Sequence, residues 1–387
     1  MKIKDQEFIK KENIGTVLNL ILKEGPISRA RIAEKVTMSF TSASRIVASL
    51  LESNLIEKVG YTNEGSGRKA SLLRPKRNAV ISIGVEIDKD KIRIAFMDFV
   101  GGLIAMEEFN FIVTTPEEAA KFIGNCIYFM MEENLIPSQQ IVGVGVGLPG
   151  LINPEKGEVL LSAQFGWEEI PFRKILEQEM KISAPVHIDN ELKMKAIAEN
   201  ELILDRKEKS MVLAGFGSGV GSVLVSNGEI YRGKDNFSGE IGHTIVDPNG
   251  VYCTCGNFGC LQTYIAEQFL VVEASKVKPI KSLNEIIKEM EKGERWAIRI
   301  IDRAILYTVI TINNLVNIHN PDIVVISGKF VESNHQIRNR IIERCKEEMT
   351  NYNRQYHLYT TETGSKGVVS GAALKVKNYF LENKVFN

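Results

Sequence analysis

Twice along its 387 residues the chain lays down the same grammar: an apolar, β-rich run, a short turn, and a second run that folds back on the first. The first set starts at Val80, where VISIGVEI, KIRIAFMDF and LIAMEEFNF follow one another, the second turn holding Gly101 and Gly102. A helix over about 116–134 comes next, then IVGVGVGLPG, a buried strand that ends in the Pro149-Gly150 turn. The second set starts at Met211, where VLAGFGSGVGSVLVSNGEIY places two apolar runs around a glycine array. A helix near 295–318, a strand at Ile323–Ser327 and a terminal helix near 371–382 complete it. Two such units predict a two-lobed α/β body with a cleft between the lobes. With 44% apolar residues, the chain is long enough for two or three cored domains.

Ahead of the body the pattern is helical. Residues 9–23 carry Ile14, Val17, Leu18 and Ile21 on one face, and Gly25-Pro26 stops the helix. Ser28 caps a second helix that runs through Val36. A third runs from about Phe40 to Ser53, with Ala43, Ile46, Val47, Leu50 and Leu51 spaced for a core and Ser39, Thr41, Ser42, Ser44 and Arg45 near its N-terminal end. Leu55–Val59 and Ala70–Leu73 read as strands flanking a Gly-, Ser- and Arg-containing loop, and 75–78 is a linker. Residues 1–77 hold fifteen Lys and Arg against eight Asp and Glu, a balance of +7 that leaves −7 on the rest of a formally neutral chain. A basic head on an acidic body predicts an anionic partner for the head. Three short helices and a basic hairpin suit a winged helix-turn-helix that binds double-stranded DNA. The small polar and basic groups of the third helix enter the major groove, and Arg29, Arg31 and Lys35 neutralise phosphates. Gly67, Arg68 and Lys69 of the loop suit a minor-groove contact, with a solvated loop as the other reading.

No apolar run approaches the roughly 20 residues a membrane helix needs, and MKIKDQEFIKKEN lacks the apolar centre of a secretory leader. Of five cysteines, three fall within eight residues, in Cys253-Thr-Cys255-Gly-Asn-Phe-Gly-Cys260, which begins ten residues beyond His243. One imidazole and three thiolates make a closed tetrahedral set for a structural Zn2+, and the glycines at 256 and 259 let a short loop double back on one ion. Cys126 and Cys345 fall in helical patterns. Cysteines used in this way point to a reducing compartment, and the expected location is the cytoplasm.

The segments GSGRKASLL, VGVGLPGLI, FGSGVGSVLVSNGEIYRG and GEIGHTIVDPNGVYCTCGNFGCLQ resemble the ROK family (repressors, uncharacterised reading frames and sugar kinases), in particular its xylose- and N-acetylglucosamine-responsive repressors. The likeness covers essentially the whole length. It implies a winged helix-turn-helix over 1–77 and an RNase H-like, actin-like body. In that body, lobe I spans 78–191 with 368–387, and lobe II, carrying the zinc loop, spans 192–367. It also implies a homodimer or higher oligomer and a sugar or polyol effector held by Asn190, Glu191, Glu240, His243 and Gln262, with Gln164 a weaker match. Carboxylates and amides supply the paired acceptors and donors that vicinal hydroxyls need.

Two departures separate this chain from the family's kinases. Those open with Asp-x-Gly-Gly-Thr, whose bare amides approach phosphate; here the stretch is Glu86-Ile87-Asp88-Lys89-Asp90. A carboxylate about 4 Å from a phosphate charge costs roughly 4 kcal/mol at an effective dielectric near 20. The catalytic Asn-Asp is Asn190-Glu191, which leaves Glu191 a vestigial candidate base. Gly217, Gly219 and Gly221 still resemble the second phosphate loop. A sugar-responsive repressor without kinase activity is therefore the expected function. A sugar kinase with a DNA-binding head, and a constitutive DNA-binding protein with an idle ligand body, are its rivals.

Overall fold

The computed structural model describes residues 6–61, 70–203, 210–348 and 356–385. They form two compact units, Met1–Glu191 with Val368–Asn387, and Leu192–Gly367.

The first unit opens on α1 (Gln6–Glu24), β1 (Ile27–Ser28), α2 (Arg29–Lys35), α3 (Phe40–Glu52), β2 (Ile56–Tyr61) and β3 (Ser71–Pro75). Apolar spacing of three and four residues decides the helices: Ile14, Val17, Leu18 and Ile21 of α1 and Ala43, Val47 and Leu50 of α3 are buried. Ser28 Oγ accepts from Arg31 N and Ser39 Oγ from Ser42 N, so each helix of the central pair is N-capped by serine. The turn between them places Thr37 in the left-handed region (φ 56°). The strands form an antiparallel sheet in the order β1-β3-β2. β2 and β3 start one residue later than the sequence suggests, and β1 is too short for any alternation to announce. Gly67, Arg68 and Lys69 lie outside the described residues. The head's core takes in Val80, Phe99 and Leu381 from beyond it.

The main sheet of this unit consists of β4 (Ile81–Ile87), β5 (Lys91–Met97), β6 (Leu103–Asn110), β7 (Ile141–Leu148) and β11 (Val186–Asn190), ordered β11-β7-β4-β5-β6. β4, β5 and β6 are antiparallel, and β7 and β11 add in parallel. α4 (Pro116–Glu133) and α5 (Phe172–Glu179) join the odd residues of β4 (Ile81, Ile83, Val85, Ile87) and the even ones of β7 (Val144, Val146, Leu148) in one core. Between β7 and α5, a small sheet of β8 (Leu151–Asn153), β9 (Glu158–Ser162) and β10 (Trp167–Ile170) follows the Pro149-Gly150 turn. Its strands are short and half-exposed, so periodicity does not reveal them.

The chain leaves this unit inside α6 (Glu191–Ile203). In the second unit, β12 (Ser210–Phe216), β13 (Val220–Ser226) and β14 (Glu229–Ile230) are antiparallel, and β15 (Ile323–Ser327) and β16 (His357–Thr360) add in parallel. The order β14-β13-β12-β15-β16 repeats that of the first unit. One core joins this sheet to α7 (Gln262–Ile265), α8 (Glu267–Ser275), α9 (Leu283–Glu291), α10 (Arg295–His319), α11 (Lys329–Glu332) and α12 (His335–Glu348). No helix among the described residues is long and apolar enough to cross a membrane.

The last helix, α13 (Gly367–Phe380), returns to the first unit. It starts four residues before the expected 371, because Gly367 fits against Thr363 and Lys195 where a Cβ would stand 2.4 and 2.7 Å from them. α13 lies on the face of β4 and β7 opposite α4. A Cβ at Gly84 would be 1.8 Å from Val369 O, and one at Gly145 would be 2.1 Å from Ala372 O. The alternating glycines of VGVGVGL are thus a flat bed for a helix. Gly219 of the second glycine array has nothing within 4 Å of its Cβ position.

Two outcomes follow for stability. Gly145→Ala should destabilise the protein by about 1–3 kcal/mol or more in chemical denaturation, because backbone must move, while Gly219→Ala should be near neutral. His187 of β11 stacks on Tyr379 of α13 at 4.2 Å, and its Nε2 has no hydrogen-bond partner among the described residues. Burial above all, then Arg173 and Lys375, lowers its pKa to about 4. The unfolded imidazole protonates near 6.5, so this contribution is intact above that pH and is lost as pH falls from there through 4. His187→Gln should flatten that part of the acid limb of a Tm-versus-pH curve.

Candidate functional site

Three groups of residues carry the chemistry, two of them on the first unit. At the end of β11, Asn190 Nδ2 donates to Gly150 O (3.1 Å) and to a Glu191 carboxylate oxygen (3.0 Å). Glu191 opens α6, where a carboxylate is favoured by the helix dipole. Gly150 (φ 125°) is pressed beneath β9, and a Cβ there would stand 2.4 Å from Leu161 O. Two residues past β9, Gln164 Nε2 donates to Asp88 Oδ1 (2.6 Å). Asn190 and Glu191 thus sit together at the end of β11, while Gln164 is tied to Asp88 after β4.

Asp88 lies in the turn between β4 and β5. Its Oδ1 also accepts from Lys89 N (2.7 Å), and its own N donates to Lys91 O (2.9 Å). Glu86 pairs with Arg93 (2.8 Å), which also reaches Glu108 (2.5 Å). The Glu86 and Asp88 carboxylates are engaged within the protein, and two amides of the turn bond to its own oxygens.

On the second unit, Glu240 precedes a single 3-10 turn that ends at His243. Burial raises the Glu240 carboxyl above its usual range against the opposing pull of Lys193 and His243. Glu240 keeps substantial solvent contact, which holds that rise to a modest one. The ligand atoms of His243, Cys253, Cys255 and Cys260 lie within 4.8 Å of one another. Cys255 and Cys260 sulfurs are 3.6 Å apart, and His243 Nδ1 is 3.8 Å from Cys253 Sγ. A tetrahedral ion with metal–sulfur bonds near 2.3 Å sets its ligands about 3.8 Å apart, so the four residues fit such an ion. The Asn257 amide chiefly lowers Cys255, to about 6, while burial and the neighbouring sulfurs push Cys260 up to about 12.

Gln262 is buried, and its Nε2 donates to Cys253 Sγ (3.1 Å). The amide named from sequence as an effector contact thus also braces the sulfur cluster, leaving its carbonyl oxygen for another partner. Sequence reasoning did not single out Lys193. It is buried on α6 and donates to Asn236 O, which puts its ammonium near Glu240. No sequence signal marks it, because a lysine within a helix ordinarily faces water.

In the head, Ser39, Thr41, Ser42 and Arg45 stand exposed at the first turns of α3. Ser39 Oγ donates to Ser42 Oγ (2.9 Å), and Ser44 Oγ is buried without a partner among the described residues.

The sequence matches the model of the ROK family over residues 82–378. It is 26% identical to the xylose repressor of Bacillus spizizenii over 386 residues, 99% of each chain. A putative xylose repressor of Caldicellulosiruptor sp. is 30% identical over 83% of this chain and 84% of its own. The N-acetylglucosamine repressor of Escherichia coli O157:H7 is 26% identical over 89% of this chain and 86% of its own. Among solved structures, a ROK transcriptional regulator homologous to the E. coli MLC protein superposes with a TM-score of 0.80 at 23% identity, covering 97% of both chains. The ROK hexokinase of Thermus thermophilus superposes with a TM-score of 0.67 at 23% identity, covering 77% of this chain and all of its own. By sequence and by the twin sheets of its body, the chain belongs to the ROK family.

Proposed function

We propose that the protein is a sugar-responsive transcriptional repressor that binds operator DNA through its winged helix-turn-helix head and works as a homodimer. One observation carries this reading. The likeness to a chain named a xylose repressor runs through head and body alike, whereas the hexokinase fold is complete in 77% of this chain. What the kinase does without is the basic, doubly capped helical head. Thr41 and Arg45, with Ser39, Ser42 and Ser44 beside them, serve as the groove-facing set. Arg29, Arg31 and Lys35 neutralise phosphates, and Gly67, Arg68 and Lys69 reach the minor groove.

The effector is a monosaccharide or polyol. The residues proposed for its hydrogen bonds are those the family likeness implies: Asn190, Glu191, Glu240, His243 and Gln262, with Gln164 a weaker match. The names of the relatives favour D-xylose or N-acetylglucosamine. Phosphoryl transfer is not part of the function. The Asp88 carboxylate and the spent amides of its turn oppose a phosphate, and the extra methylene of Glu191 displaces a base by about an ångström, at a cost on the order of 10²-fold. His243, Cys253, Cys255 and Cys260 hold a structural zinc ion, which ties down a loop with little apolar content of its own.

Binding to a duplex enriched from a random-sequence pool should weaken at least tenfold with saturating D-xylose or N-acetylglucosamine, read by fluorescence anisotropy. By linkage the sugar must bind less tightly to the DNA-bound protein by the same factor. A coupled ADP-release assay with either sugar should stay at background; turnover near 1 s⁻¹ would make the protein a kinase. Removing zinc with a chelator should lower Tm by several degrees, and Cys255→Ser should lower it alike and abolish the chelator's effect. An unchanged Tm in both would remove the metal.

A further inference from the structure

We infer that Phe40 is a base-reading residue of the head, its ring set against the 5-methyl group of a thymine in the major groove. The assignment rests on the operator-binding reading above and adds a residue that its polar contact set does not contain.

Phe40 is the first residue of α3 and is 58% exposed. It lies three residues before Ala43 and seven before Val47, both fully buried, so it continues the core stripe of the helix. The core ends at that turn and the ring does not. Side chains on an α-helix lean toward its N-terminus, so a bulky group at the first position projects past the helix end. That end is rigidly placed: Met38 N donates to Ala33 O (3.0 Å), Thr37 N to Glu34 O (3.2 Å), and the Ser39 cap holds Ser42 N (3.1 Å).

The capping geometry also uses up much of the polar set at this tip. The hydroxyls of Ser39 and Ser42 bond each other, and that of Ser44 is buried. Beside Ser39 and Ser42, whose hydroxyls bond each other, α3 presents Phe40, Thr41 and Arg45 at its first turns. In a helix-turn-helix the N-terminal residues of this helix reach base edges. A phenyl ring makes no hydrogen bond there, and the apolar feature that a base pair offers in the major groove is the thymine methyl. Water exposure of the ring in the free protein is then relieved on binding.

The test uses the full chain and the duplex it enriches from a random-sequence pool. Each thymine is replaced singly by deoxyuridine, which removes only the methyl. Wild type should lose about three- to tenfold in affinity at one position of each site, the worth of one buried methyl group or slightly more. Phe40→Ala, with an unchanged Tm, should bind more weakly and show no further loss at that position. Phe40→Leu should keep part of the sensitivity. If no thymine is sensitive in wild type, or if Phe40→Ala keeps the wild-type pattern, the assignment falls while operator binding stands. If no sequence is enriched, the operator-binding reading fails and the assignment with it.

Discussion

The body rests on a helix laid against a sheet that has no side chains in its way. Gly84 and Gly145 are the points at which α13 meets β4 and β7, with the Val369 and Ala372 carbonyls closer to the glycine α-carbons than any Cβ would allow. Because α13 comes from the end of the chain, the first unit is complete only after the second has been built. The chain crosses between units at Glu191/Leu192 and again at Gly367/Val368, inside α6 and at the start of α13. Near them α6 is anchored within the second unit, with Lys195 paired to Glu332 (3.2 Å) and Glu199 accepting from Thr363 N (3.2 Å).

The twin architecture was readable because glycine and β-branched residues mark it in one dimension. VISIGVEI and VGVGVGL alternate bulky and small residues, and that alternation is the difference between a face that packs on α4 and one that receives α13. The head helices were readable for the analogous reason, with Ile14, Val17, Leu18 and Ile21 at helical spacing and serines where caps belong. The sheet of β8, β9 and β10 was not, since its strands number three to five residues and mix exposed with buried positions. Nor can one dimension say which hydroxyls at the tip of α3 are already spent. Sequence shows Ser39 and Ser42 as groove-facing candidates but not that their hydroxyls bond each other and that Ser39 caps the helix.

The chemical sets show the same division. Residue types and spacing announce four metal ligands, because thiolates so close together have few other uses. They do not announce the partners that orient the polar residues around them. Gln262 is held by Cys253 and Gln164 by Asp88, each through the amide nitrogen. Asp88, in the turn between β4 and β5, is the group that holds the Gln164 amide.

Transmission to DNA needs more than a ligand that fits. An effector shifts operator affinity only if it prefers one arrangement of the protein over another, and only if the head follows that arrangement. A head on a loose tether would not follow. Here the head's core includes Val80, Phe99 and Leu381, the last two from the β5–β6 turn and the residue after α13. Lys76 N donates to Leu55 O and Phe99 N to Arg77 O, both at 2.9 Å. Asp98, whose carboxylate accepts from Val100 N and Gly102 N, braces the same turn from within. Separating head from unit would expose these buried apolar groups and strand those amides. The head that carries α3 and the sheet that carries Asn190 therefore belong to one packed unit, the coupling that transmission requires.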